Sequence, residues 1–122
     1  MSEIHHAIAT GLAKEFKAKC TPITDINKPP YTNWYRWEWH NRRLRIKHHA
    51  IIAITDGNIH LANIHGPGIP LNDPNLIKQL HTAIIERIDD TIEHSYFATH
   101  KQRQRRKYKI KKLIKCPKST TQ

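Results

Sequence analysis

The stretch WYRWEWHNRRLRIKHHAIIAITDGNIHLANI, Trp34 to Ile64, decides the fold. Its apolar and aromatic residues recur every second position, which is the period of a half-buried strand. Asp56-Gly57 interrupts that period with the dipeptide favoured in two-residue hairpin loops; a type I′ turn is expected, with positive φ at both central positions. Around this turn Ile54 faces Ile59, Ile52 faces Leu61, Ile51 faces Ala62 and His48 faces His65. A second turn at Asn41-Arg42 sets Trp39 opposite Leu44 and Trp37 opposite Ile46. One face then collects Tyr35, Trp37, Trp39, Leu44, Ile46, Ile52, Ile54, Ile59 and Leu61, and something must cover it. The other face is mixed, with Ile51, Ala53, Ala62 and Ile64 near the Asp56-Gly57 turn and Trp34, Arg36, Glu38, His40, Arg43, Arg45 and Lys47 toward its far end.

Working outward, Ile4, Ile8, Leu12 and Phe16 recur every fourth residue behind a candidate N-cap, Ser2, and predict an amphipathic helix over 3–19. Thr21 to Pro30 holds three of the chain's seven prolines and reads as a linker. On the far side, Gly66-Pro67-Gly68 makes a turn and Ile69 to Leu71 a short final strand. Asp73 as N-cap and Pro74 at N1 open a helix over 74–97 with a stripe of Ile77, Leu80, Ile84, Ile88 and Ile92. Its acids, Asp73, Glu86, Asp89, Asp90 and Glu93, suit the back of a sheet better than a phosphate backbone. The expected architecture is α+β: a single domain over 1–98, built on an antiparallel sheet of three or four strands over 34–71, then a basic tail over 99–122.

That tail dominates the electrostatics. Between Lys101 and Lys118 lie ten of the 21 Lys and Arg residues and no Asp or Glu, so this segment supplies ten of the chain's eleven net positive charges. Cations at such density gain affinity for a polyanion by releasing its condensed counterions, which points to nucleic acid. Tyr108, Ile110, Leu113 and Ile114 interrupt the basic run, so the tail is able to order against a partner.

The candidate nucleic-acid-binding residues are Trp34, Arg36, Arg42, Arg43, Arg45 and Lys47 in the sheet, and Lys101, Arg103, Arg105, Arg106, Lys107, Lys109, Lys111 and Lys112 in the tail. Cations that track phosphates beside aromatic faces that stack bases are what a single-strand platform requires. Single-stranded DNA or RNA is therefore favoured over duplex, and low sequence specificity follows, because phosphate contacts and stacking carry little base information. Protonation of exposed His near or below pH 6.5 strengthens such binding.

Other chemistry is thinly supported. His48, His49, His60 and His65 cluster in the expected register without a carboxylate or Cys to complete a metal set, so no metal or cofactor is expected. Glu38, His40 and Asp56 are fragments of a metal-dependent nuclease site, and a non-enzymatic role is preferred. Cys20 and Cys116 fit no disulfide framework or zinc finger, no apolar run is long enough to span a bilayer, and the chain reads as cytoplasmic. An adaptor subunit, docking a protein partner through the sheet or the N-terminal helix within a nucleoprotein complex, is the alternative function.

Three segments, Asn41-Arg42-Arg43-Leu44-Arg45-Ile46, Ala50 to Ile54, and Gly66-Pro67-Gly68-Ile69-Pro70-Leu71 leading into Leu76 to Ile92, carry a family likeness. Together, residues 41–92 resemble the single-stranded-DNA-binding domain of the positive cofactor four family of transcriptional coactivators. The three segments are similar to its basic first strand, its second strand, and its final strand entering the helix. The resemblance implies a homodimer whose curved sheets hold single-stranded DNA, with Arg42, Arg43 and Arg45 at the contact. Ile64-His65-Gly66-Pro67 stands where the family carries a Lys-rich loop. The order helix, three strands, helix is also that of double-stranded-RNA-binding domains, without their basic cluster at the second helix.

Overall fold

The computed structural model describes residues 3–23, 33–62, 68–94 and 98–117. Along them run α1 (Glu3–Glu15), β1 (Lys19–Ile23), β2 (Asn33–Asn41), β3 (Ile46–Thr55), β4 (Asn58–Leu61), β5 (Ile69–Pro70), α2 (Leu76–Glu93) and α3 (His100–Leu113). The fold is α+β. Its open antiparallel sheet has five strands in sequential order, β1-β2-β3-β4-β5, rather than three or four.

The period-2 pattern decides which side chains go inside. Tyr35, Trp37 and Trp39 on β2 are buried, together with Ala50, Ile52 and Ile54 on β3 and Ile59 and Leu61 on β4. All three helices cover this one face: Ala9, Ala13 and Phe16 from the α1 side, Leu80, Ile84, Ile88 and Ile92 from α2, and Ile110 and Ile114 from the α3 side join the same core. Each of the three large aromatics removes some 150–250 Å² from water, worth about 4–6 kcal/mol of transfer free energy. Trp39 also donates its indole N–H to the Phe16 carbonyl at 2.9 Å, which satisfies the polar edge of a buried ring.

The β3–β4 register is as expected, with Ile54 opposite Ile59 and Ile52 opposite Leu61. The turn between them is not type I′: of Asp56 and Gly57 only Gly57 has positive φ, at +98°. A turn that needs a left-handed residue only at its second position uses the glycine alone. His65 lies outside the described residues, as do Ser2, Ile64, Gly66, Pro67 and residues 24–30 of the expected linker.

The β2–β3 register departs from the expected one by four residues. Trp39 pairs with His48 and Trp37 with Ala50, and a four-residue loop, Arg42 to Arg45, replaces the two-residue turn. The Arg45 N–H donates to the Arg42 carbonyl at 3.2 Å, the Asn41 side chain accepts from the Leu44 N–H at 3.0 Å, and Arg45 closes the loop at φ +53°. Because four is an even shift, every strand side chain keeps its face. Arg43, Leu44 and Arg45 are the exceptions, leaving the sheet for the exposed loop.

Other boundaries move. α1 stops at Glu15, not at 19, in a Schellman cap: Ala18 N–H bonds the Ala13 carbonyl at 2.8 Å, Lys17 N–H bonds the Lys14 carbonyl at 3.0 Å, and Lys17 takes φ +59°. Residues 19–23, read partly as helix and partly as linker, form β1, where Pro22 is tolerated because the strand is an edge. Asp73 caps a turn ahead of α2, accepting from the Asn75 N–H at 2.7 Å and from the Gln79 side chain at 2.8 Å, so the helix begins at Leu76. It ends at Glu93; residues 95–97 are outside the described set.

The largest departure is the segment read as a tail beyond residue 98. Residues 100–113 are helix α3, packed on α2 with Ile110 and Ile114 fully inside the core. Thr99 and Gln102 start it with a reciprocal capping box, Gln102 N–H to Thr99 Oγ1 at 3.2 Å and Thr99 N–H to Gln102 Oε1 at 2.9 Å. Among the described residues no helix is long and apolar enough to cross a membrane.

Candidate nucleic-acid interface

The α3 sequence alternates its cations between two jobs. One face turns to α2: Lys107 is buried and donates to the Glu93 carboxylate, Lys111 pairs with Asp89 at 2.7 Å, and Arg103 donates to the Ala98 carbonyl. The Lys107 ammonium beside Glu93 holds its carboxyl below the usual carboxylate range. These three cations, all candidates for phosphate contact, are used within the fold. Two of the α2 acids, Glu93 and Asp89, supply the partners of Lys107 and Lys111.

The opposite side of α3 carries Lys101, Arg105, Arg106, Lys109 and Lys112, all exposed. Tyr108 stands among them, 61 % exposed, with the Lys112 ammonium 5.0 Å from its ring centre. This face meets the β2–β3 hairpin end. Leu44, Arg45, Ile46 and Lys47 from the hairpin and Gln102, Arg105, Arg106 and Lys109 from α3 line a cleft of about 380 Å³. Five cations from two segments far apart in sequence thus share one concavity, and no acid lines it. Fields from like charges add in such a cleft and concentrate anions there.

The open sheet face is less basic than its sequence suggested. Arg36 and Lys47 flank Glu38, at 3.4 and 3.7 Å, so the one acid on that face neutralises part of its charge. Arg42, Arg43 and Arg45 are in the loop rather than on a strand, and the segment likened to a basic first strand is therefore the hairpin loop that joins the end of β2 to the start of β3. Trp34 lies on the sheet face turned away from the core, opposite Ala53 and Ile23, half-buried.

His48 packs on Trp39, ring centres 6.1 Å apart. Burial, with His49 and Arg106 adding positive charge nearby, pushes its pKa down to about 4. It is neutral at pH 7 and is not one of the exposed His groups whose protonation would add charge. Among the described residues no three His, Cys, Asp or Glu side chains come together in a way that could hold a metal ion. The nuclease fragments do not converge: Asp56 bonds His5 at 2.9 Å at one end of β3, while Glu38 pairs with His49, roughly 24 Å along the strand. Cys20 is half-buried, its thiol pushed up by burial, and Cys116 is exposed.

Comparison of the chain with protein-family models, with curated proteins and with solved structures finds no match.

Proposed function

We propose that this protein binds nucleic acid, without catalysis and with little sequence specificity, along the cleft between the β2–β3 loop and α3. The observation that carries this reading is the meeting of Arg45 and Lys47 with Arg105, Arg106 and Lys109 around one acid-free concavity. Such a cluster is self-repelling when empty and is relieved by a phosphate backbone. Arg42, Arg43, Lys101 and Lys112 extend the basic surface on either side. A cytoplasmic location, and the homodimer implied by the coactivator resemblance, belong to the same proposal.

The test is filter binding or anisotropy with single-stranded and duplex DNA and RNA across a salt series. Two phosphate contacts, each contributing a slope of about 0.7–0.9 in log affinity against log salt, are worth roughly 25- to 60-fold at 0.1 M. Arg105→Glu with Arg106→Glu is therefore expected to lose at least that much for every nucleic acid. Lys14→Glu with Lys78→Glu changes net charge equally on exposed positions of α1 and α2 and is expected to stay close to the parent. Equal losses in both double variants would reduce the effect to bulk charge and refute the site.

A second reading, an adaptor subunit, is favoured by one observation. An apolar groove of about 770 Å³ runs between α1 and the start of α2, lined by Ile8, Leu12, Leu71, Leu76 and Ile77. An adaptor would bind nucleic acid only weakly in isolation, and the same salt series separates the two readings.

A further inference from the structure

Next to the basic cleft, on the other side of Leu44, lies a second one of about 630 Å³, between the end of α1, the β2–β3 loop and the end of α3. Its chemistry differs. Phe16, Leu44, Leu113 and Pro117 give it apolar walls, and Lys17, Lys112 and Lys115 stand around it with Glu15 as the one acid. Leu44 lines both clefts and is 41 % exposed, one of three large apolar side chains exposed among the described residues.

Leu44 is not a member of the core cluster. Its backbone is nevertheless fixed by the Asn41 side chain and by the Arg42–Arg45 bond, in a loop that tolerates a left-handed Arg45. Lys17, whose positive φ belongs to the cap that ends α1, borders the same cleft.

We propose that this second cleft receives an unpaired base, with Leu44 as the apolar surface against which it packs, while the adjoining phosphates lie in the basic cleft. The inference rests on the nucleic-acid reading above and deepens it to single strands. Apolar walls bordered by cations, continuous with an acid-free cationic cleft, match a chain that alternates base and phosphate. The volume lies in the range of pockets that enclose small ligands. A duplex cannot use it, since its bases are stacked inside the helix and would have to be extruded to reach the cleft.

The experiment compares fluorescence anisotropy of a labelled 12-nucleotide oligothymidylate and a 12-base-pair duplex, for the parent, Leu44→Ser, and Arg105→Glu with Arg106→Glu. Leu44 lies exposed in a loop, so its replacement leaves the core intact. Leu44→Ser is expected to weaken the single strand by roughly five- to tenfold and the duplex by less than twofold, at unchanged salt slope. A second readout is alkylation of Cys116, which lines the cleft, followed at each cysteine by mass spectrometry. Saturating oligothymidylate is expected to slow it severalfold, and duplex is not. Single-strand affinity within twofold of the parent in Leu44→Ser, an equal loss for both nucleic acids, or unchanged Cys116 reactivity would each overturn the base pocket. If the double Arg variant still loses affinity in those cases, the phosphate cleft stands without it; if that variant binds like the parent, the underlying reading falls as well.

Discussion

Arg45→Gly should raise stability and lower affinity at the same time, because Arg45 combines a strained backbone with a cation at the cleft. At φ +53° an L-residue brings its Cβ too close to the following carbonyl, at a cost of about 1–2 kcal/mol. Glycine removes that cost and loses about 0.5–1 kcal/mol through the greater freedom of its unfolded chain. The net gain is about 0–1.5 kcal/mol, or roughly 0–7 °C in Tm for a chain of this size. The side chain lines the basic cleft, so its removal deletes one phosphate contact, roughly five- to eightfold in affinity at 0.1 M salt, and flattens the salt slope by somewhat less than one. Urea denaturation and anisotropy on the same preparation measure both. Arg45→Lys separates the terms, keeping charge and strain, and is expected to change neither stability nor affinity much. Lower stability in Arg45→Gly would refute the strained loop closure; unchanged affinity and slope would refute the cleft.

Two further predictions concern the scaffold. A Cβ on Gly68 would lie 2.9 Å from the Ile59 carbonyl oxygen and 3.1 Å from Asn58 Cβ, so Gly68→Ala is expected to force β5 away from β4 and cost about 1–3 kcal/mol in urea denaturation; an unchanged midpoint would show that the strand edge yields freely. His48, with its folded pKa near 4 against 6.5 when unfolded, binds a proton more readily in the unfolded chain, so its contribution to stability is fully present above pH 6.5 and is lost as pH falls toward 4. After discounting for its partial exposure the loss is about 1–2 kcal/mol, and His48→Phe, which keeps a ring on Trp39, is expected to flatten thermal melts between pH 6.5 and 4 relative to the parent; identical slopes would refute it.

How far the site was legible follows from where its parts came from. Every cation in the basic cleft was visible as a candidate, yet the two groups read as separate surfaces, a strand face and a tail. Three of the tail candidates, Arg103, Lys107 and Lys111, turned out to face α2, because Ile110 and Ile114 bury one side of α3 and bring these residues with them. A signal for that helix was present in Thr99-His100-Lys101-Gln102, a capping box, and in Arg103, Lys107, Ile110 and Ile114 at three- and four-residue spacing. The high charge of the segment masked both. Leu44 and Lys17 had no local signal for a ligand, since one counted as a strand residue and the other as the polar side of a helix.

The amino-acid sequence by itself determined what depends on local periodicity: the buried parity of Tyr35, Trp37 and Trp39, the Ile54–Ile59 pairing around Asp56-Gly57, and the stripe Leu80, Ile84, Ile88 and Ile92. A period of two or of 3.6 sets a side chain's face wherever its element docks. Tertiary structure alone decided the docking: β1 on the edge of β2 despite Pro22, the four-residue loop that lifts Leu44 and Arg45 out of the sheet, and α3 folded back on α2. Those choices are made by long-range burial, with Ile114 filling the core and Lys107 reaching Glu93, and neighbouring residues in the chain do not encode them. The cleft exists because that burial set α3 beside a hairpin end more than fifty residues away in sequence.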